Sequence, residues 1–243
     1  MRAGSEDTAR TVTVVWGTAP RGERYAAHRA LIHAAADATG GRAGTIRLRH
    51  RPDGRPFLTG PASGLQVSIS HGRGVFAVAL SGSTPVGVDV ETVRPVPAEA
   101  LARRWFDPAA AEAVARAPHT GRTETFFRLW TQKEAAGKAH GTGLLHGGLT
   151  RAVTPRPPGG PGGEPGPGPL SLGALPGSPH TRCGAVPVGL GRYILAVAVL
   201  VPPTDPVGVE LRTTTERQPQ GGRQWRPRAS LPKNESGKAG HDA

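Results

Sequence analysis

Between residues 65 and 91 the chain sets three strand-like segments almost end to end: LQVSIS (65–70), GVFAVALSG (74–82) and TPVGVDVE (84–91). In the first, Leu65, Val67 and Ile69 fall on one face, the period of two that a pleated strand imposes. The second is apolar throughout and reads as a buried strand. The linking HGRG (71–74) is a hairpin-like turn. So tight a succession of strands forces a sheet of neighbours close in sequence, and the rest of the chain must pack on it.

The rest alternates between strand and helix signals. TVTVVWGT (11–18) reads as a strand, RYAAHRALIHAAADATGG (24–41) as an Ala-rich helix with a Gly stop, and TIRLRH (45–50) as another strand. DGRPFL (53–58) opens on an Asp-Gly turn signal. VRPVPAEALARRWF (93–106) is a loop followed by a short helix. Asp107-Pro108 then supplies an N-cap and a first-turn proline for the next. The strongest helix signal covers 123–140. Residues 155–178 hold 8 Pro and 8 Gly in 24 positions and are expected to form a mobile loop. A strand returns at 192–201, and 203–243 reads as a disordered tail. The reading gives an N-terminal half over 11–92, a C-terminal half over 93–202 with the loop 155–178, and the tail. The two strand-rich, helix-bearing halves are compatible with a distant duplication.

Composition narrows the partners. Hydrophobic residues make up 37%, with 35 Gly and 25 Pro, so the folded core is expected to occupy only part of the 243 residues. Of the net charge of +12, +10 lies within residues 1–202, which hold 23 Lys+Arg against 13 Asp+Glu. Such an excess suits nucleic acid, a phosphate-rich cofactor or an acidic protein. A single cysteine, Cys183, excludes an intrachain disulfide and a Cys-based metal site. MRAGSEDTAR (1–10) has no apolar core, and the longest apolar run, YILAVAVLV (193–201), is too short to span a bilayer. A soluble, cytoplasmic monomer is expected.

The chemistry-bearing residues lie in two short segments. In PVGVDVE the strand period puts Val86, Val88 and Val90 on one face and Gly87, Asp89 and Glu91 on the other. In WTQKEAAGK (130–138), Trp130, Glu134 and Lys138 continue the i+4 stripe that starts at Phe126. Carboxylates without a Cys or His cluster favour a hard cation such as Mg²⁺, which leaves positions for phosphate oxygens. The chain writes its positive charge with 26 Arg and only four Lys, yet Lys133 and Lys138 both stand in this helix. An ammonium is a compact charge that can follow a moving phosphate or give up a proton, which a guanidinium cannot do.

With these residues the chain resembles the Sfp-type 4′-phosphopantetheinyl transferases. That family pairs Gly-(Val/Ile)-Asp-x-Glu with Trp-(Ser/Thr/Cys)-x-Lys-Glu-(Ala/Ser)-x-x-Lys some forty residues on. Here these are GVDVE (87–91) and WTQKEAAGK (130–138). GRP (54–56), SISH (68–71), ARRWFDPAAAE (102–112) and GTGL (141–144) match further family segments, and the resemblance covers roughly 11–202. It implies an α+β fold of two similar halves, a pseudo-dimer in which each half has a small sheet and a long helix, with the site between them. It implies transfer of 4′-phosphopantetheine from coenzyme A to a serine of an apo acyl- or peptidyl-carrier protein, with release of adenosine 3′,5′-bisphosphate. By motif position Asp89, Glu91 and Glu134 would hold Mg²⁺. Glu134 would also help deprotonate the serine, and Lys138 would stabilise the departing phosphate. Ser70, His71, Arg55, Arg29 and Lys133 would contact the coenzyme.

Two other readings stand beside this one. A basic nucleic-acid-binding protein would explain the charge but not the grouped acids. A homologue that binds coenzyme A or a carrier without turnover would explain the motifs but not the retention of the three acids with Lys138. Whether the carrier serves fatty-acid, polyketide or nonribosomal-peptide synthesis is left open by the sequence.

Overall fold

The computed structural model describes residues 11–142, 151–153 and 170–215. It is a mixed α+β fold built on two four-stranded sheets. The first contains β1 (Thr11–Thr18), β4 (Gln66–Gly72), β5 (Val75–Ser81) and β10 (Gly208–Thr215), in the order β10-β1-β5-β4. The second contains β6 (Val86–Thr92), β7 (Gly173–Leu175), β8 (Ser178–Val188) and β9 (Tyr193–Leu200), in the order β6-β9-β8-β7. A separate ribbon pairs β2 (Arg47–His50) with β3 (Pro56–Thr59).

Strand alternation sets the layers. Val12, Val14, Val75, Ala77 and Ala79 point from the first sheet into one apolar cluster with Val86, Val88, Val90, Leu195 and Val197 of the second. The opposite face of the first sheet, with Phe76, Val78 and Leu80, packs on α1 (Glu23–Thr39) through Ala27, Leu31 and Ala35. The opposite face of the second sheet offers Ala196 and Ala198 to Ala135, Ala136 and Ala139 of α4 (Arg122–His140). Beyond α4 lie α2 (Ala98–Trp105) and α3 (Pro108–Arg116), which pack on Phe126, Phe127 and Leu129. Flanked on two sides, α4 is buried around most of its circumference. As expected, Asp107 caps α3, its carboxylate accepting from the N–H groups of Ala109 and Ala110, both at 3.1 Å.

The two sheets meet edge to edge where β4 passes β6. Val67 and Ile69 turn toward α1, so Ser68 and Ser70 turn toward the second sheet. Val88 N–H donates to Ser68 Oγ (3.0 Å), and Val90 N–H donates to Ser70 Oγ (3.3 Å). Two hydroxyls thus satisfy the free ladder groups of an edge strand that would otherwise be buried unpaired.

Three expectations need correction. The boundary at 92/93 does not hold, because β6 pairs with β9 in the second sheet. The tail from 203 is not wholly unstructured: β10 runs parallel to β1 over eight residues, from Thr11 opposite Gly208 to Thr18 opposite Thr215. The Pro/Gly-rich loop ends earlier than 178, since 173–175 and 178–188 are strands. Residues 155–169 of that loop and 216–243 of the tail lie outside the described residues, as do Gly143 and Leu144 of the GTGL segment. Among the described residues no helix is long and apolar enough to cross a membrane.

Candidate active site

A cleft of about 530 Å³ opens at the β4–β6 seam. Its floor depends on a close approach of strand and helix. A Cβ on Gly87 would lie 1.9 Å from the carbonyl oxygen of Ala135 and 2.5 Å from the nitrogen of Ala139, so only glycine lets β6 lie directly on α4. Two residues on, Asp89 meets the helix at Glu134 and Lys138, which line the same cleft. Gly87 therefore acts by admitting the helix backbone.

Asp89 is buried, and its Oδ1 carries two bonds. Ser70 Oγ donates to it at 2.8 Å, and Lys138 Nζ donates at 2.8 Å while also donating to the Val88 carbonyl at 3.1 Å. Asp89 Oδ2 is buried with no hydrogen-bond partner in the protein. Glu134 and Glu91 are half-buried on either side. Desolvation first, then the negative charge of Asp89, pushes the Glu134 carboxyl up to about 7, with Lys138 opposing and Glu91 adding to the rise. The same two causes push Glu91 up to about 6, against Arg94, Lys138 and Arg73. These are two carboxyls able to take up a proton near neutrality, beside an ammonium and an uncompensated carboxylate oxygen. As the side chains stand, no three acidic, His or Cys residues among the described ones enclose a metal position.

Six of the nine residues singled out by sequence come together here: Ser70, His71, Asp89, Glu91, Glu134 and Lys138. His71 sits at the rim, its pKa lowered by partial burial and by Arg24 and Lys138, against Glu23. The other three lie elsewhere. Arg55 donates to the Ala139 carbonyl at 3.2 Å and so caps the C-terminal end of α4. Arg29 borders a smaller hollow of about 260 Å³ between α1 and β10. Lys133 is fully buried, donating to the Trp105 carbonyl at 2.6 Å, with its ammonium 5.2 Å over the Phe106 ring. Burial lowers its pKa, against the pull of Asp107. One step round the helix from Glu134, it faces away from the cleft and ties α2 to α4. A cofactor-binding role for Lys133 is therefore corrected: its charge serves the corner between α2 and α3.

Two lining residues were missed, Arg73 and Arg94. Arg73 occupies the HGRG turn with φ 53°, a left-handed backbone that arginine rarely adopts. Arg94 follows β6 and stacks 5.1 Å over the Phe127 ring. The only sequence signal for either was proximity to a motif, diluted among 26 arginines.

The segment that carries this geometry has counterparts elsewhere. Residues 85–163 match the 4′-phosphopantetheinyl transferase superfamily. That span holds Asp89, Glu91, Arg94, Glu134 and Lys138; Ser70, His71 and Arg73 reach the cleft from outside it. Among curated proteins, the chain is 34% identical over 104 residues to the 4′-phosphopantetheinyl transferase HetI of a Nostoc species, covering 42% of this chain and 44% of that one. It is 32% identical over 125 residues to a 4′-phosphopantetheinyl transferase of Bacillus subtilis, covering 49% and 54%. It is 31% identical over 99 residues to 4′-phosphopantetheinyl transferase Sfp of Bacillus subtilis, covering 41% and 43%. The matches span about half the length of these relatives.

Proposed function

We propose that the protein transfers 4′-phosphopantetheine from coenzyme A to a serine hydroxyl of an apo acyl- or peptidyl-carrier protein in the cytoplasm. The observation that carries the reading is the meeting of Asp89, Glu91, Glu134 and Lys138 in one cleft, within the segment that matches transferases of this type. We read the two sheet-and-helix units as the family's two similar halves, with the site at their seam.

The donor set fits Mg²⁺. Asp89, Glu91 and Glu134 offer carboxylate oxygens in a cleft that no cysteine lines, and Asp89 Oδ2 is buried with no partner to replace the water it lost. Asp89, Glu91 and Glu134 would hold the ion. When bound, it would neutralise pyrophosphate charge that otherwise repels the attacking oxygen. The chain's own groups do the rest. Glu134, which lines the cleft beside Lys138, accepts the serine proton as the serine oxygen bonds to the phosphorus nearer the pantetheine. The bond from that phosphorus to the bridging oxygen breaks, and Lys138 meets the charge that develops on the leaving adenosine 3′,5′-bisphosphate. Ser70 fixes Asp89, and His71 at the rim meets a phosphate oxygen. Positioning and charge neutralisation dominate reactions of this kind.

Calorimetric titration with coenzyme A tests the donor half of the reading. Binding strengthened by Mg²⁺ and weakened by Asp89→Ala is expected. Absence of coenzyme A binding with Mg²⁺ present would refute it. A nucleic-acid-binding protein would instead bind DNA or RNA with steep salt dependence, indifferent to chelators.

A further inference from the structure

The turn from β8 to β9 carries a leucine that the fold does not call for. Gly189, Leu190 and Gly191 all have left-handed backbones, with φ of 59°, 56° and 77°. Glycine adopts this region freely, whereas a bulky residue there is a true outlier. The Leu190 side chain gains nothing in return from the fold, being 104% exposed and outside every apolar cluster. A lone exposed leucine is ordinary. A lone exposed leucine held in a strained backbone, where a third glycine would suffice, is not.

Its position gives it a use. The turn lies on the Tyr193 and Trp16 rings, which a Cβ on Gly189 would meet at 2.7 and 3.3 Å. It is bonded to the chain leaving β6, Val93 N–H donating to the Arg192 carbonyl at 2.9 Å. The next residue is Arg94, which borders the cleft, holds its guanidinium 5.1 Å over the Phe127 ring and has its Nε buried without a hydrogen-bond partner. Arg192 flanks the turn itself, 5.8 Å over the Tyr193 ring. An apolar knob flanked by Arg192 is therefore bonded, through Val93 and the Arg192 carbonyl, to the segment that carries Arg94 to the border of the cleft that the acceptor serine must enter.

We propose that Leu190 anchors the carrier protein, entering an apolar hollow beside the carrier's acceptor serine while Arg94 and Arg192 meet acidic side chains around that hollow. The proposal rests on the transferase reading. It commits to an acidic partner because the apolar contact is bordered by cations on a chain of net charge +12.

The test uses the full chain and whichever apo carrier it charges fastest in a panel of fatty-acid, polyketide and nonribosomal-peptide carriers. Leu190→Gly suits the left-handed backbone, so its melting temperature should match or exceed that of the wild type. Its KM for the carrier should rise about tenfold, as expected when one interface anchor is truncated. kcat at saturating carrier and affinity for coenzyme A should stay unchanged. Leu190→Asp should raise KM further, and Leu190→Met should restore it. Unchanged carrier KM in both Leu190→Gly and Leu190→Asp would overturn the docking proposal while leaving the transferase reading intact. Sedimentation showing a dimer lost in Leu190→Gly would also overturn it, by assigning the knob to a second copy of the chain. A wild type that charges no carrier would remove both.

Discussion

Replacing Gly87 with alanine should damage the active site from beneath, without touching any group that meets substrate. The added Cβ would stand 1.9 Å from the Ala135 carbonyl oxygen and 2.5 Å from the Ala139 nitrogen, and must retreat to an ordinary contact beyond about 3.4 Å. Both obstacles are helix backbone, so no rotamer change relieves them; β6 and α4 have to part. Overpacking of a core costs about 1–3 kcal/mol, and a clash of backbone with backbone belongs at the upper end. The displacement is carried along the strand to Asp89, two residues away. Its bonds to Ser70 and Lys138, both 2.8 Å, would then pass the limit of a useful hydrogen bond. A misplacement of about 1 Å at a reacting centre costs on the order of 10²-fold in rate. Urea unfolding and single-turnover transfer to an apo carrier read the two effects separately. A Gly87→Ala protein with wild-type stability and rate would show that contact of β6 with α4 does not place Asp89.

Ser70→Ala would leave the Val90 N–H and one bond of Asp89 unsatisfied in a buried seam, which should cost about 1–3 kcal/mol in urea unfolding; no loss would mean that the hydroxyl does not hold the seam. Glu134 and Glu91 keep their protons to higher pH when folded, about 7 and about 6 against 4.5 when unfolded. The metal-free fold binds more protons than the unfolded chain across that interval, so it should lose stability as pH rises from 4.5 to 7, and Glu134→Gln should flatten the slope. Thermal melts at pH 5 and pH 8 decide this, and a wild type more stable at the higher pH would contradict the charge assignment. Deleting 203–243 should destabilise the protein by removing β10 from the edge of the first sheet, whereas a chain ended after Thr215 should keep that pairing; equal melting temperatures would show that β10 adds nothing. Asp89→Ala with Glu134→Ala should lose about as much activity as either alone, because the two act as one unit; additive losses would separate them.

Sequence and structure agreed where local physics and burial point the same way. β1 and β6 alternate and are buried, and Asp107-Pro108 caps a helix as such a pair should. The grouping of Asp89 with Glu134 and Lys138 was legible through two motifs, but its cause was not. Nothing local shows that Gly87 is glycine because a helix backbone lies on it. β8 was missed because Pro179, Gly184 and Pro187 break its alternation; Gly184 is required where a Cβ would strike the Ser171 carbonyl oxygen at 2.3 Å. β10 was missed because an edge strand is mostly exposed and GVELRTTT carries only two apolar residues. Lys133 misled because scarcity of lysine gave both lysines of the helix one explanation. The helix period separates them, sending Lys138 to the cleft and Lys133 to the corner between α2 and α3.

The central claim is that the cleft at the β4–β6 seam moves phosphopantetheine to a carrier serine. Intact mass spectrometry of apo carriers incubated with coenzyme A, Mg²⁺ and the protein tests it most directly, with Asp89→Ala run in parallel. At least one carrier should gain the mass of one phosphopantetheine group, located on its serine, with little or none in the variant. No gain across fatty-acid, polyketide and nonribosomal-peptide carriers, or an equal gain with Asp89→Ala, would contradict it.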